Sequence, residues 1–363
     1  MIFAPKALDR YLLRHFFIAL FVVTIAVGLT IIVINMVEEL RDFIDHHVPL
    51  IDVLTYYLFF GGWVVKSFLP VFVLLATLFS VSILARRNEI LAMKASGRSL
   101  YRIAYPLLVT GALLSVGHFY YNEYLFPPAN RRRLEIKEFT IEKRAKATFT
   151  NVRNIYRLIG PGYFYSLGDF NAERDEGSQL RICRTEKNKI REIVVARLVS
   201  YHDFKWIGRE VVIRKFDDSA HETFQKLDSL DFPDIKDTPE DLEKRIGKPE
   251  DMGLDELKRY IEVMKRTGGP YFKESIDLKL KYSYPMTSFI VMLICIPFAS
   301  NPKRAGLAAS FAVGVSLALA YFVIFRIMQS FGYNEKIPVD LAVWGVNALF
   351  FVIGLALMLG ARK

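Results

Sequence analysis

The chain has 363 residues, 52% of them hydrophobic and 24% charged, with a formal net charge of +10 and a mean hydropathy of +0.24. That mixture excludes a uniformly soluble chain, because apolar and charged residues must segregate along it. Two cysteines exclude a disulfide scaffold; Cys183 lies in the middle region and Cys295 in an apolar stretch, so both are expected to stay unpaired.

A helix rises about 1.5 Å per residue, so about 20 apolar residues cross a hydrocarbon core of about 30 Å. Phe16–Val37, Tyr56–Ala85, Ile103–Phe126, Tyr282–Ala299, Leu307–Phe331 and Leu341–Gly360 meet that length. They predict an α-helical membrane protein with six transmembrane helices, three on each side of an inserted extramembrane domain. The first stretch is too long for the core of a cleaved signal, and no small-x-small cleavage pattern follows it.

The positive charge is not spread evenly. Residues 127–275 hold about 30 Lys and Arg against about 27 Asp and Glu, a near balance that argues against nucleic acid as a partner. The excess sits at Lys6, Arg10 and Arg14, at Arg86, Arg87, Lys94, Arg98 and Arg102, at Lys303 and Arg304, and at Arg362 and Lys363. The opposite short loops carry Glu38, Glu39, Asp42, Asp45, Asp52, Glu335 and Asp340 around Arg41 and Lys336. By the positive-inside rule both termini are expected in the cytoplasm and the middle domain outside the inner membrane.

The middle domain reads as β-rich. Strands are predicted at Thr148–Arg153, which alternates around Phe149 and Val152, and at Tyr163–Leu167, Ile190–Phe204, Glu210–Phe216 and Glu222–Leu230. Turns are predicted at Gly160-Pro161-Gly162, Glu176-Gly177-Ser178, Gly208 and Asp217-Asp218. Short strands at this spacing fit a sandwich, jelly roll or open barrel. Asp231–Met252 reads as an acidic linker. Leu254, Leu257, Ile261 and Met264 then give an amphipathic helix ended by Gly268-Gly269-Pro270. The domain boundaries expected are 1–126, with a cytoplasmic loop at 86–102, then 127–252, a connecting helix at 253–275, and 276–363.

Motifs for chemistry are missing. The chain has no G-x-x-x-x-G-K-[ST], no H-E-x-x-H, no C-x-x-C and no G-x-S-x-G. His46 and His47 are adjacent and project apart, and Asp217-Asp218 reads as a solvated turn. No cofactor, metal or catalytic residue is expected.

The segment Ala85–Ser99 carries more. Asn88 is placed to cap a short helix, Ile90, Leu91, Met93 and Lys94 give it a mixed apolar and charged face, and Gly97 stops it. A basic loop resting on lipid headgroups is the alternative; Glu89 favours a basic protein partner instead.

Arg87-Asn88-Glu89-Ile90 followed by Met93-Lys94-Ala95-Ser96-Gly97 resembles the cytoplasmic loop of the lipopolysaccharide export permeases, the LptF/LptG (YjgP/YjgQ) family. Leu8-Asp9-Arg10-Tyr11, Leu69-Pro70 and Ile296-Pro297-Phe298 are similar to the same family, the first of them more to its LptG half. The resemblance covers the whole layout of three spans, a β domain and three spans. It implies a periplasmic domain of jelly-roll fold. It also implies a second homologous permease subunit, a dimeric cytoplasmic ABC ATPase holding the ATP and magnesium, and a periplasmic bridge protein of the LptC/LptA type, with lipopolysaccharide as cargo. Arg87, Glu89, Ile90, Met93 and Gly97 would then form the ATPase-coupling loop, with Glu89 the docking acid. The chain itself would be no enzyme. A subunit of another ABC-type lipoprotein-release or mechanotransmission complex is the alternative, disfavoured by the six spans.

Lipid phosphates at the outer boundary need cations. Arg41, Lys66 and the run Arg131, Arg132, Arg133 are the candidates. The alternatives are headgroup contact or pairing with Glu135 and Glu138 for the arginine run, and snorkelling or pairing with a group such as Glu123 for Lys66. The family has a lysine near the outer end of its first span, where this chain has Asn35. Arg326 in the fifth span either faces the cavity or snorkels. Lipid is expected to pass between the first span and the partner's fifth.

Overall fold

A computed structural model describes residues 7–143, 151–186, 189–216, 222–242, 248–268, 271–300 and 306–361. Phe149, Asp217-Asp218, Gly269-Pro270, Lys6, Lys303, Arg304, Arg362 and Lys363 lie outside the described residues. The chain forms two compact units. One holds Met1–Arg133, Glu250–Leu254 and Phe272–Lys363; the other holds Leu134–Pro249 and Asp255–Tyr271.

The first unit is helical. In chain order come α1 (Ala7–Asp45), α2 (Leu50–Arg86), the short α3 (Glu89–Ala95) and α4 (Leu100–Tyr120). A π-helical turn at Tyr121–Leu125 leads into α5 (Phe126–Glu135). Among the described residues, six helices are long and apolar enough to cross a membrane. They outrun the apolar stretches because charged residues continue the helical turns. At 39 residues α1 spans roughly 60 Å, well past a bilayer core, and carries Glu38, Glu39 and Arg41 in its last turns. The third run continues through α5 to Ile141.

Proline is tolerated inside these helices, at Pro70, Pro106, Pro285 and Pro297, since neighbouring helices re-satisfy the freed backbone groups. Phe16, Val73, Leu78, Leu107 and Met292 build one apolar core. Ile276, Ile290, Tyr321, Val343 and Phe350 build a second. The helix that follows the inserted domain, Phe272–Ala299, contributes to both. By contrast Phe21, Val22 and Val37 of α1 are more than half exposed. Only lipid or another apolar chain can cover such a face.

Among the described residues the second unit carries six strands: β1 (Asn151–Gly160), β2 (Tyr163–Asn171), β3 (Glu176–Glu186), β4 (Lys189–His202), β5 (Lys205–Phe216) and β6 (Glu222–Asp231). They form one antiparallel sheet in the order β1-β2-β3-β4-β5-β6. The inserted β domain is therefore present, as a meander; the crossing order of a full jelly roll is not found among the described strands.

Several boundaries differ from the sequence expectation. Glu176-Gly177-Ser178 is not a turn but the start of β3. The turn lies just before it, where Asn171 Oδ1 accepts from the Glu173 and Arg174 amides. Gly208 is likewise inside β5: a Cβ there would lie 2.5 Å from Phe232 Cε2 and 3.0 Å from Ala196 Cβ, so the glycine admits a close approach. Phe204 ends no strand, because Asp203 and Phe204 both take positive φ (49° and 61°) and turn β4 into β5.

The described part of the acidic linker expected at Asp231–Met252 packs in part on the sheet. Phe232, Ile235 and Leu242 from it are buried on the sheet with Tyr165, Leu180 and Trp206, and it contains the short helix α6 (Pro239–Leu242). The amphipathic helix is present as α7 (Leu254–Arg266). After it come α8 (Phe272–Ala299), α9 (Gly306–Tyr333) and α10 (Val339–Gly360).

Candidate functional site

The loop between α2 and α4 is built as a short helix on a pedestal. Asn88 takes a left-handed φ of 58°, which turns the chain out of α2. Its side chain makes no cap, contrary to the sequence expectation, because that conformation carries it off the extended backbone a cap requires. Ser99 does cap, accepting from the Arg102 amide at 3.3 Å at the start of α4. Gly97 reverses the chain at φ +83°.

Ile90 is buried and Met93 packs against the same core. These two residues anchor α3 rather than face outward, whereas Leu91 stays exposed. Arg87 is exposed and its guanidinium lies 4.0 Å from Glu89. Glu89 Oε2 accepts from the Tyr11 hydroxyl at 2.8 Å. Arg102 donates to Asp9 at 2.8 Å. Thus two residues of the Leu8-Asp9-Arg10-Tyr11 segment clip α1 to this loop.

The cationic candidates separate. Arg41 is exposed and meets Asp45 one helical turn on. Arg131 and Arg132 are exposed, but Arg133 is buried. Its guanidinium donates to Asn130 at 2.9 Å and lies within about 6 Å of the Tyr56, Phe60 and Trp63 rings of α2. The arginine run is therefore two surface cations and one internal brace. On α1, Asn35 has a buried side-chain oxygen without a partner.

Lys66 is paired, though not with Glu123. Its ammonium is 2.6 Å from Asp251 and 4.3 Å from the Phe126 ring centroid. Glu123 instead accepts from the Leu254 amide and lies 3.8 Å from Lys281. A cavity of about 200 Å³ opens beside these groups, lined among others by Lys66, Asn122, Asp251, Asp277, Lys281 and Arg326. Arg326 faces this cavity, where it donates to Gln329 at 2.9 Å. Glu123 and Asn122 sit on the π-helical turn, a local rearrangement that often marks functional positions.

Asp251, Asp277 and Lys281 were not foreseen. For Asp277 and Lys281 the available signal was charge at the margin of an apolar stretch, which marks a site only when a partner is known; Asp251 lies outside any such margin.

The sequence profile described as "Lipopolysaccharide export system permease LptF/LptG" matches residues 10–360. The chain belongs to that family. It is 22% identical over 378 residues to the lipopolysaccharide export system permease protein LptG of Haemophilus influenzae, covering 99% of each chain. It is 19% identical over 302 residues to the LptG of Escherichia coli K12, covering 81% of this chain and 82% of that one. Both relatives are LptG proteins, which supports the LptG half of the family. As a permease-family chain with six candidate spans it is a multi-pass membrane protein with a transport role.

Proposed function

We propose that this chain is one permease half of an ATP-driven exporter that lifts lipopolysaccharide out of the inner membrane and passes it to a periplasmic bridge. The observation that carries this reading is the family match along residues 10–360, which spans both helical groups and the inserted sheet. Both termini lie in the cytoplasm and the sheet in the periplasm, as the loop charges favour. The partners are a second permease subunit of the same layout, a dimeric cytoplasmic ATPase that binds ATP and magnesium, and a bridge protein of the LptC/LptA type.

Energy arrives mechanically at α3. Closure of the ATPase pushes Glu89 and its neighbours, and α2 carries the movement into the membrane, where the cavity between the two subunits narrows. Arg41, Arg131 and Arg132 are the surface cations suited to lipid phosphates, and the exposed face of α1 suits acyl chains or the partner subunit. The test is depletion of the chain from its own cells. Lipopolysaccharide should then accumulate in the inner membrane; continued delivery to the cell surface would refute the proposal.

A further inference from the structure

The contact between Lys66 and Asp251 joins residues 185 positions apart. Both side chains are largely shielded, at 20% and 14% exposure. Asp251 belongs to a five-residue segment, Glu250–Leu254, that packs as part of the helical unit, while the residues on either side of it in the chain, Pro249 and Asp255, belong to the other unit. Leu254 provides a second hold on the segment, its amide donating to Glu123. The segment is thus a short piece of the return path from the sheet, held by these two polar contacts beside the buried side chains of Met252 and Leu254.

The cavity lies directly beside the first of those contacts. Lys66 and Asp251 both line it, Lys281 and Arg326 add two further cations and Asp277 a second acid, and Asn122, a lining residue about nine-tenths buried, has a side-chain oxygen without a partner. A carboxylate and a phosphate offer a lysine the same kind of acceptor oxygen. They differ in charge: a carboxylate or a phosphodiester carries one negative charge, a phosphomonoester close to two at neutral pH. The monoester is therefore the stronger competitor for an ammonium ion that already meets a carboxylate.

We infer that Asp251 is an internal stand-in for a substrate phosphate: it occupies Lys66 until a lipid bearing a phosphomonoester displaces it, and the displacement frees Glu250–Leu254. This rests on the reading of the chain as a lipopolysaccharide permease. The latch keeps the cavity closed to the phosphodiester lipids that make up the surrounding membrane. It also makes substrate arrival felt at the chain connection to the sheet-bearing unit. Asp251 is a positioning residue in this scheme and Lys66 the switch.

The test uses the full-length protein in nanodiscs of phosphatidylethanolamine, with hydrogen exchange read on the amides of residues 250–254 and bound lipid counted separately by mass. Adding lipid A with two phosphomonoesters should speed exchange there by about tenfold or more, the scale of losing one charge-assisted contact. Lipid A stripped of its phosphates should not. Asp251→Asn and Lys66→Gln should each exchange fast before any lipid is added and respond no further, whereas Lys279→Gln, which breaks an exposed pair with Asp340, should behave as wild type. Should Asp251→Asn fail to fold, Lys66→Gln reads the same release. Lipid A bound with protection unchanged would overturn the latch and leave the permease reading standing. No lipid A bound, even by the assembled complex, would overturn both. An equal response to inorganic phosphate would overturn the lipid as the source.

Discussion

The Tyr11 hydroxyl donates to Glu89 Oε2 at 2.8 Å, across 78 positions of chain. With Asp9 and Arg102 at 2.8 Å, it ties the first helix to the loop in which the acid stands. Glu89 is therefore presented by the fold, with its carboxylate partly occupied and still 27% exposed, so a basic partner meets an oriented group rather than a free one.

Asp9→Ala should loosen that clip. Asp9 is buried to within 8% and its loss leaves Arg102 without its anion, which costs about 1–3 kcal/mol. Thermal unfolding in detergent should show the loss. The double variant with Arg102→Ala should lose less than the sum of the two singles.

The three consecutive arginines should divide by function. Arg133→Ala removes a buried group held by Asn130 and three rings and should destabilise the helical unit by about 1–3 kcal/mol. Arg131→Ala and Arg132→Ala should leave unfolding unchanged and instead weaken photocrosslinking to lipopolysaccharide. Equal unfolding losses at all three positions would show that the burial difference has no energetic weight.

In the sheet, Gly208→Val forces a side chain against Phe232 and Ala196. Overpacking of this kind costs about 1–3 kcal/mol. Denaturant unfolding followed by Trp206, which packs in the same core, should register it, and shrinking the neighbour with Phe232→Leu should restore part of the loss.

The sheet unit should also weaken in strong base. Burial, then a hydrogen bond to Asp234, pushes the Tyr163 hydroxyl from 10.0 up to about 12. Burial, then the nearby Asp237, pushes Tyr165 upward as well. With folded pKa values above the unfolded value, the unfolded chain loses these protons first. The stabilisation is then complete below about pH 10 and declines as pH rises through the folded pKa near 12. Tyr163→Phe should flatten the part of this decline that belongs to Tyr163, read as unfolding midpoint against pH.

Labelling of single cysteines in a cysteine-free background tests the orientation. A cysteine at Phe204, in the exposed β4–β5 turn, should react with a membrane-impermeant reagent added outside the inner membrane. One at Leu91, exposed on α3, should react only from the cytoplasm. Reaction of both from one side would reject the assignment made from loop charges.

The spans were legible because each is a contiguous run of apolar residues long enough to cross a bilayer, a signal that tertiary context does not override. Their true ends were not, since charged residues such as Glu38 and Asp42 continue α1 without a break in backbone geometry. Glycine was the misleading residue in the sheet. At Gly177 and Gly208 it admits close neighbours inside strands, and in sequence this looks the same as a turn. The loop around Glu89 could be found from its residue pattern, but the burial of Ile90 and Met93 depends on a core assembled from distant helices. Asp251 was out of reach for the same reason: nothing local to it announces a lysine 185 positions earlier.

The most direct test of the account is ATP-driven transfer of lipopolysaccharide from proteoliposomes holding the assembled complex to a soluble periplasmic acceptor, compared for wild type and Glu89→Lys. The account predicts ATP-dependent transfer by wild type. It predicts loss of transfer in the variant, with the chain still inserted, because reversing a charge at a docked acid strands the partner's cation at a cost of about 2–5 kcal/mol. Transfer by Glu89→Lys at the wild-type rate, with the ATPase bound as usual, would contradict it.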